Sequence, residues 1–268
     1  MGDCVGALSG VWRYPVKSMM GEALGSSIVW ERGLLGDRSY ALLDGASGKI
    51  VSAKNPRKWP TLLRFSAVYT EPPFKAATAP VRITLPNGES VRSDQDDVDQ
   101  RLSTCLEACV ALKSQAPPAA ELEEYWPDIE NLAHREAVTD EAMPADTFFD
   151  CGSVHIISTA TLRELAARWP EGRFEIRRFR PNLLIETDQE GFVENSWVGR
   201  TLSIGSEVRL LITGNTSRCV MTTLAQSGLP KDLSILRTAV QNNAGNVGVY
   251  ASVSRTGTIR DGDRILIE

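Results

Sequence analysis

The residues best suited to chemistry lie between Asn215 and Thr223, in the run Asn-Thr-Ser-Arg-Cys-Val-Met-Thr-Thr. A cysteine thiolate is both a nucleophile and a ligand for soft metals, and an adjacent guanidinium favours that form. Cys219 directly follows Arg218, so the pair reads as a metal- or electrophile-binding thiolate. The plain alternative is a half-buried structural cysteine, which is where free cysteines most often sit. Three further clusters suit an anion: Lys17-Ser18, the glycine-bearing turn Gly33-Leu34-Leu35-Gly36-Asp37-Arg38, and Arg180-Pro181-Asn182. An ammonium beside a hydroxyl can take a phosphate as a point charge, and a guanidinium can take one bidentately. Arg180 closes a group of four arginines, with Arg173, Arg177 and Arg178. Such a run is more often a solvated face, and at least half of the group reads that way. The expectation is that the three clusters converge on one phosphorylated cofactor beside Cys219.

Other chemistries are poorly supplied. There is neither a dinucleotide G-x-G-x-x-G nor a P-loop, so the standard nucleotide folds are not indicated. The only histidines, His134 and His155, stand apart in the sequence, which argues against a His-based zinc site or a Ser-His-Asp triad. His155 lies in an apolar run and reads as structural. Cys105 and Cys109 are four apart on a predicted helix, but on its core stripe, so a metal pair is the weaker reading.

These groups must be carried by a β-rich scaffold. The chain has 268 residues, 42% of them hydrophobic, enough for a sizeable core in one or two domains. Its net charge is −5, which argues against a general nucleic-acid binder. Five dispersed cysteines read as reduced thiols of a cytoplasmic protein. No apolar run is long enough to span a membrane and no leader pattern is seen, so a membrane anchor is not expected.

Up to residue 93 the pattern is short apolar runs divided by Gly and Pro: Val5–Tyr14, Ser26–Glu31, Arg38–Leu43, Lys49–Ala53 and Leu62–Tyr69. Asp44-Gly45 and Asn87-Gly88 mark hairpin turns. Residues 94–113 read as a helix with an apolar stripe through Val98, Leu102 and Leu106, its start rich in aspartate. Residues 114–149, polar and proline-bearing, read as a linker or irregular connection. Beyond them come a strand, Val154–Ile157, and a helix capped by Ser158 or Thr159 and ended by Pro170 and Gly172. Strands follow at Leu183–Glu186, Leu202–Ile204, Val208–Thr213, Val247–Val253 and Arg264–Ile267. Gly214 and Asn215 are expected to break the strand before Cys219, placing the thiol on a loop at a strand end.

Together these stretches carry a resemblance. "YPVKSMMGE" and "RGLLGDRSYALLD" resemble the β-barrel module that precedes MOSC domains; "RFRPNLLIE", "W-x-G-x-x-L-x-I-G", "SRCVMTT" and "VGVYASVSRTGTIRDGDRILI" resemble the MOSC domain itself. The nearest kinds are the mitochondrial amidoxime-reducing component and its bacterial counterparts. The resemblance implies an α+β, β-rich fold: an N-terminal barrel-like domain over 1–113, a connection over 114–149 and a MOSC domain over 150–268. It implies a molybdenum cofactor, a molybdopterin with a single dithiolene and a terminal phosphate, with Cys219 as catalytic residue and protein ligand to the metal. Ser217 and Arg218 of the same motif, Lys17, Ser18 and Arg38 of the first module, and Arg180 and Asn182 of "R-P-N" are the implied cofactor contacts. Ser158 and Thr159 match a further polar motif. The implied chemistry is reduction of N-hydroxylated compounds (amidoximes, hydroxylamines, N-hydroxylated bases) to amines. Electrons would come from a separate protein such as a ferredoxin, a flavin reductase or a b-type cytochrome. A sulfur or cofactor carrier, with Cys219 as persulfide or metal ligand, is the rival. Many relatives have proline where this chain has Asn215, which implies a looser loop before Cys219.

Overall fold

The alternating apolar residues of Asp3–Arg13 need a partner on both edges, and the C-terminal half supplies both. In the computed structural model, which describes residues 2–74, 78–226 and 228–268, this strand pairs antiparallel with Arg264–Ile267 on one side and Leu183–Glu186 on the other. From Leu183–Glu186 the sheet runs through Val154–Ser158, Asn246–Arg255, Val208–Ser217 and Thr201–Ile204 back to Arg264–Ile267. Seven strands thus close a barrel, which removes the exposed edges an open sheet would carry. Leu8, Ile156, Ile185, Leu202, Leu210 and Val249 fill its interior, each at most 1% exposed. Burying each such side chain contributes about 1.5–3 kcal/mol.

The helices Thr159–Arg168 and Ser234–Asn243 cover one flank through Leu165, Ile235 and Ala239. Ser158 caps the first by accepting from the Thr161 N–H at 3.2 Å. The second helix was not anticipated, although Ile235, Leu236, Ala239 and Val240 have helical spacing. None of the described helices is long and apolar enough to cross a membrane.

The N-terminal module is built of smaller sheets around a second core that includes Phe65, Ile83 and Leu102. Ser66–Tyr69, Val81–Thr84 and Ser90–Arg92 form a meander. Gly88, with φ of 88°, makes the Asn-Gly turn. Ala41–Asp44 pairs with Val110–Lys113. The α+β, β-rich class holds.

Four local expectations change. The helix predicted over 94–113 spans only Val98–Leu106. Glu107 takes a left-handed conformation, and the Ser103 hydroxyl exchanges hydrogen bonds with the Val110 backbone, so the chain turns into a strand. Cys109 is therefore off the helix and exposed, and shares no face with Cys105. Residues 114–149 are not irregular throughout: Glu121–Trp126 and Ala137–Ala142 form a hairpin whose Leu122 joins Ile50, Met143 and Phe148 in a core. The boundary at 113 is crossed by topology, because Asp3–Arg13 belongs to the barrel and Gly257–Arg260 pairs with Ser26–Trp30. Finally, Gly214 and Asn215 do not end their strand. They form irregularities within it, with Asn215 paired to Val249, and the strand continues to Ser217. The loop before Cys219 is thus part of the sheet.

Candidate cofactor site

Loops from both modules meet at a narrow cleft of about 60 Å³ with Cys219 in its wall. Cys219 lies just beyond Val208–Ser217 and starts a 3-10 turn, Val220–Thr223. Its carbonyl accepts from the Thr222 N–H at 3.2 Å and the Thr222 hydroxyl at 3.1 Å. Met221, two residues on, is buried in the N-terminal core. The thiol is therefore held between a barrel strand and the other module.

Burial pushes the Cys219 thiol up to about 11, with Glu124 adding to the shift and Lys54 and Arg218 opposing it. This corrects the expectation that Arg218 makes a ready thiolate. Arg218 is turned away, its Nη2 donating to the Phe179 carbonyl at 2.7 Å and its Nη1 lying 3.5 Å from His155 Nε2. At neutral pH the thiol keeps its proton until a metal ion takes its place, since a coordinating thiol is deprotonated outright.

The cleft's charge is unbalanced. Arg38, Lys54, Arg180 and Arg218 line it with one carboxylate, Asp150. Arg38 pairs with Asp37, and Lys54 donates to Glu124 at 2.9 Å. Lys17, behind the wall, pairs with Asp150 and donates to the Phe148 carbonyl at 2.9 Å. Burial alone would raise the Asp150 carboxyl, but Lys17 and Lys54 outweigh it and hold it well below the usual range. Arg180 and Arg218 have no carboxylate partner among the described residues. Burial brings Arg180 down to about 10. The Nε of Arg218 is buried with no hydrogen-bond partner. Two guanidiniums flank the Tyr14 ring, that of Arg180 at 4.2 Å and that of Arg38 at 5.0 Å. A cation over an aromatic ring is attracted by the ring's quadrupole, which offsets part of the repulsion between the two guanidiniums.

Two residues of the cleft wall, Arg38 and Arg180, and Ser18 beside Lys17 are among the described non-glycine residues with positive φ. Ser18, Arg38 and Arg180 have φ of 64°, 49° and 52°. Such left-handed non-glycine residues cost energy that the surroundings must offset, and they concentrate at functional sites.

These features fit a group that is anionic at one end and offers a soft metal at the other. Among the described residues no set of three or more His, Cys, Asp or Glu could cage a metal. A metal at Cys219 would need most of its ligands from outside the protein, as a dithiolene-bearing cofactor would provide. The cleft has room for the anionic or metal-bearing end alone. Phe149 lines it and also two larger cavities, of about 540 Å³ on the Arg38 side and about 600 Å³ on the Tyr250 side.

Family models match over most of the chain: the MOSC N-terminal beta barrel domain over residues 5–126 and the MOSC domain over residues 145–266. The chain belongs to the MOSC family. MOSC domains are associated with molybdenum cofactor binding. Among curated proteins, mitochondrial amidoxime reducing component 2 of Rattus norvegicus is 23% identical, over 97% of this chain and 83% of its own length. Among solved structures, the YUAD protein from Bacillus subtilis is 14% identical with a TM-score of 0.49, covering 100% of this chain and 98% of its own. YiiM from Geobacillus stearothermophilus is 14% identical with a TM-score of 0.34, covering 44% of this chain and 54% of its own.

Of the residues singled out in this MOSC protein, Arg38, Arg180, Asn182, Ser217, Arg218 and Cys219 line one cleft. Their roles differ. Asn182 is saturated by protein: its amide donates to Asp37 at 2.9 Å and to the Trp12 carbonyl at 3.2 Å, and its oxygen accepts from the His155 N–H at 3.1 Å. It positions Asp37, and through it Arg38. Lys17 acts on the cleft through Asp150. Ser18 is buried, its hydroxyl accepting from the Ala53 N–H at 3.0 Å. Ser158 and Thr159 do not line the cleft. Ser158 caps a helix, and the Thr159 hydroxyl exchanges hydrogen bonds with the Thr187 backbone. Lys54, Asp150, His155 and Tyr250 do line it and were not singled out as site residues. His155 is buried and held neutral, burial first and Arg218 second lowering it well below the usual histidine range.

The arginine group divides by burial. Arg173 and Arg177 share Glu175 at the surface. Arg178 is 0% exposed and serves the site indirectly. It donates to the carbonyls of Arg173 at 2.9 Å, Thr222 at 3.2 Å, Leu224 at 3.3 Å and Pro230 at 2.9 Å. Three of those carbonyls belong to the loop that follows Cys219. Arg178→Met leaves them without a donor, and is expected to lower unfolding free energy by about 2–4 kcal/mol. Urea denaturation of the two proteins measures this.

Proposed function

We propose that this MOSC protein is a molybdenum-cofactor oxidoreductase that reduces N-hydroxylated compounds, such as amidoximes and hydroxylamines, to amines. The observation that carries the reading is two guanidiniums without carboxylate partners among the described residues, the buried Arg180 and the half-buried Arg218, beside Cys219, the one thiol among the described residues that line the cleft. Arg180, Arg218 and Arg38 would hold the cofactor's anionic end, and Cys219 would be the protein ligand to molybdenum. When bound, the cofactor supplies two-electron reduction and a Lewis-acidic centre for the substrate oxygen. The protein's part is to hold the thiol in place, keep water scarce and present hydrogen-bond donors. The name of the rat relative supports the choice of N-hydroxylated substrates.

The raised Cys219 thiol speaks against the sulfur-carrier alternative, which needs an accessible, low-pKa cysteine. Electrons would come from a separate donor protein of the ferredoxin, flavin-reductase or b-type cytochrome kind. The test is molybdenum and pterin content after production in a host that makes the cofactor, followed by benzamidoxime turnover with a chemical reductant. About one molybdenum per chain is expected, as a single thiolate ligand implies. Neither metal nor pterin, with persulfide on Cys219, would establish the carrier instead.

A further inference from the structure

The reduction needs a place for its organic substrate, and the second cavity beside the cleft has the features of one. It has a volume of about 600 Å³ and shares Phe149, Gly152 and Tyr250 with the cleft that contains Cys219. Among the described residues its only charged lining residues are Glu31 and Arg32, both exposed. Arg32 donates there to the Asp146 carbonyl at 3.1 Å. The cavity's one cation is thus matched by one carboxylate, whereas four cations line the cleft, and an uncharged molecule suits this cavity.

Tyr250 is the polar group common to both spaces. The chain has five tyrosines. The phenols of Tyr14, Tyr40, Tyr69 and Tyr125 each donate to a protein acceptor, the carbonyls of Pro181, Ala79 and Gly36 and the Glu136 carboxylate. The Tyr250 phenol has no hydrogen-bond partner among the described residues, although the residue is half-buried. Burial also pushes it up to about 12, so it stays a donor at neutral pH.

The ring itself is fixed. A Cβ at position 152 would meet Tyr250 Cβ, Cγ and Cδ1 at 2.6, 2.7 and 2.8 Å, so the ring rests directly on Gly152. His155 lies on it with ring centroids 5.6 Å apart. The residue is also set in the barrel strand, opposite Gly214. A rigid side chain with one uncommitted donor, facing a cavity of ligand size, is the usual form of a specificity contact.

We propose that this cavity is the substrate pocket, and that the Tyr250 hydroxyl donates a hydrogen bond to an uncharged N-hydroxylated substrate beside Cys219. The assignment rests on the reductase reading for the reaction, but not for the binding. The test uses benzamide, an uncharged and unreactive probe, titrated calorimetrically into the cofactor-loaded protein, into Tyr250→Phe and into Gly152→Ala. Tyr250→Phe is expected to bind benzamide about threefold to tenfold more weakly, the worth of one neutral hydrogen bond. Molybdenum content should be unchanged and the KM for benzamidoxime raised in proportion. Gly152→Ala, which must displace the ring, should weaken benzamide as much or more. Equal affinity in wild type and Tyr250→Phe, or no saturable binding to wild type, overturns the proposal. So does loss of molybdenum from Tyr250→Phe, which would make the phenol a cofactor contact. If benzamide behaves as expected while benzamidoxime is not reduced, the pocket stands and the reductase reading falls.

Discussion

Cys219→Ala protein, produced alongside wild type in a cofactor-making host, is expected to retain its fold and lose its molybdenum. Cys219 is half-buried and its thiol has one hydrogen-bond partner, the Met221 backbone, so truncating it should cost about 1 kcal/mol of stability. Its neighbours are held independently: Met221 is anchored in the N-terminal core, and Arg178 grips the carbonyls of Thr222 and Leu224. The loop should keep its course. No set of three or more ligating side chains among the described residues could hold the metal in its place. Losing an outer-shell partner costs about 10–100-fold in metal affinity or activity, and losing the ligand itself should exceed that. The check is metal analysis, benzamidoxime turnover and a thermal melt on the same preparations. Wild-type molybdenum content in the variant would remove Cys219 as the ligand. Loss of both metal and fold would show that the thiol is structural.

Much of this site is legible in the sequence because its parts are dense in chemistry. Arg218-Cys219 and Arg180-Pro181-Asn182 are unusual enough in an acidic chain to be noticed, and each lies at the end of a readable strand. What was hidden depended on non-local contacts. Asp150 directly follows a polar stretch that reads as a connection, and its importance comes from Lys17 and Lys54, distant in sequence. Lys54 follows an apolar run that pairs through two isolated bridges at Ile50, to Leu43 and to Leu122. Tyr250 is one aromatic in an apolar strand, and only the missing Cβ at Gly152 and the free phenol set it apart. Ser158 and Thr159 show the reverse error. Polar residues at a helix start can bind an anion, but here the cap consumes them locally, as it does at most helix starts. Arg178 and Arg180 have the same residue type two positions apart and divergent tasks. No pattern in the sequence tells a buried brace from a ligand contact.

Arg180→Met is expected to move stability and cofactor retention in opposite directions, which a purely structural arginine would not do. Arg180 is 5% exposed and lacks a carboxylate partner among the described residues, and burial lowers its guanidinium to about 10. A base whose folded pKa falls below its unfolded value destabilises the empty fold at every pH below the folded pKa. The penalty fades as pH rises above about 10 toward the ordinary arginine range. At neutral pH the shift corresponds to a cost on the order of 3 kcal/mol. Removing the charge should recover part of this. Some is returned because the stacking on Tyr14, 4.2 Å away, is lost, a contact worth about 0.5–2 kcal/mol. The backbone φ of 52° is no better for methionine than for arginine, so strain does not enter the difference. The cofactor-free variant should therefore be about 1 kcal/mol more stable than cofactor-free wild type. In the loaded protein the same cation faces a buried anion, and truncating one partner of such a pair costs about 2–5 kcal/mol, a loss of retention of roughly 30-fold or more. Urea melts of both empty proteins, and pterin phosphate remaining after gel filtration of both loaded ones, decide the matter. A destabilised empty variant with full pterin content would make Arg180 a structural residue and leave Arg38 and Arg218 to hold the anion.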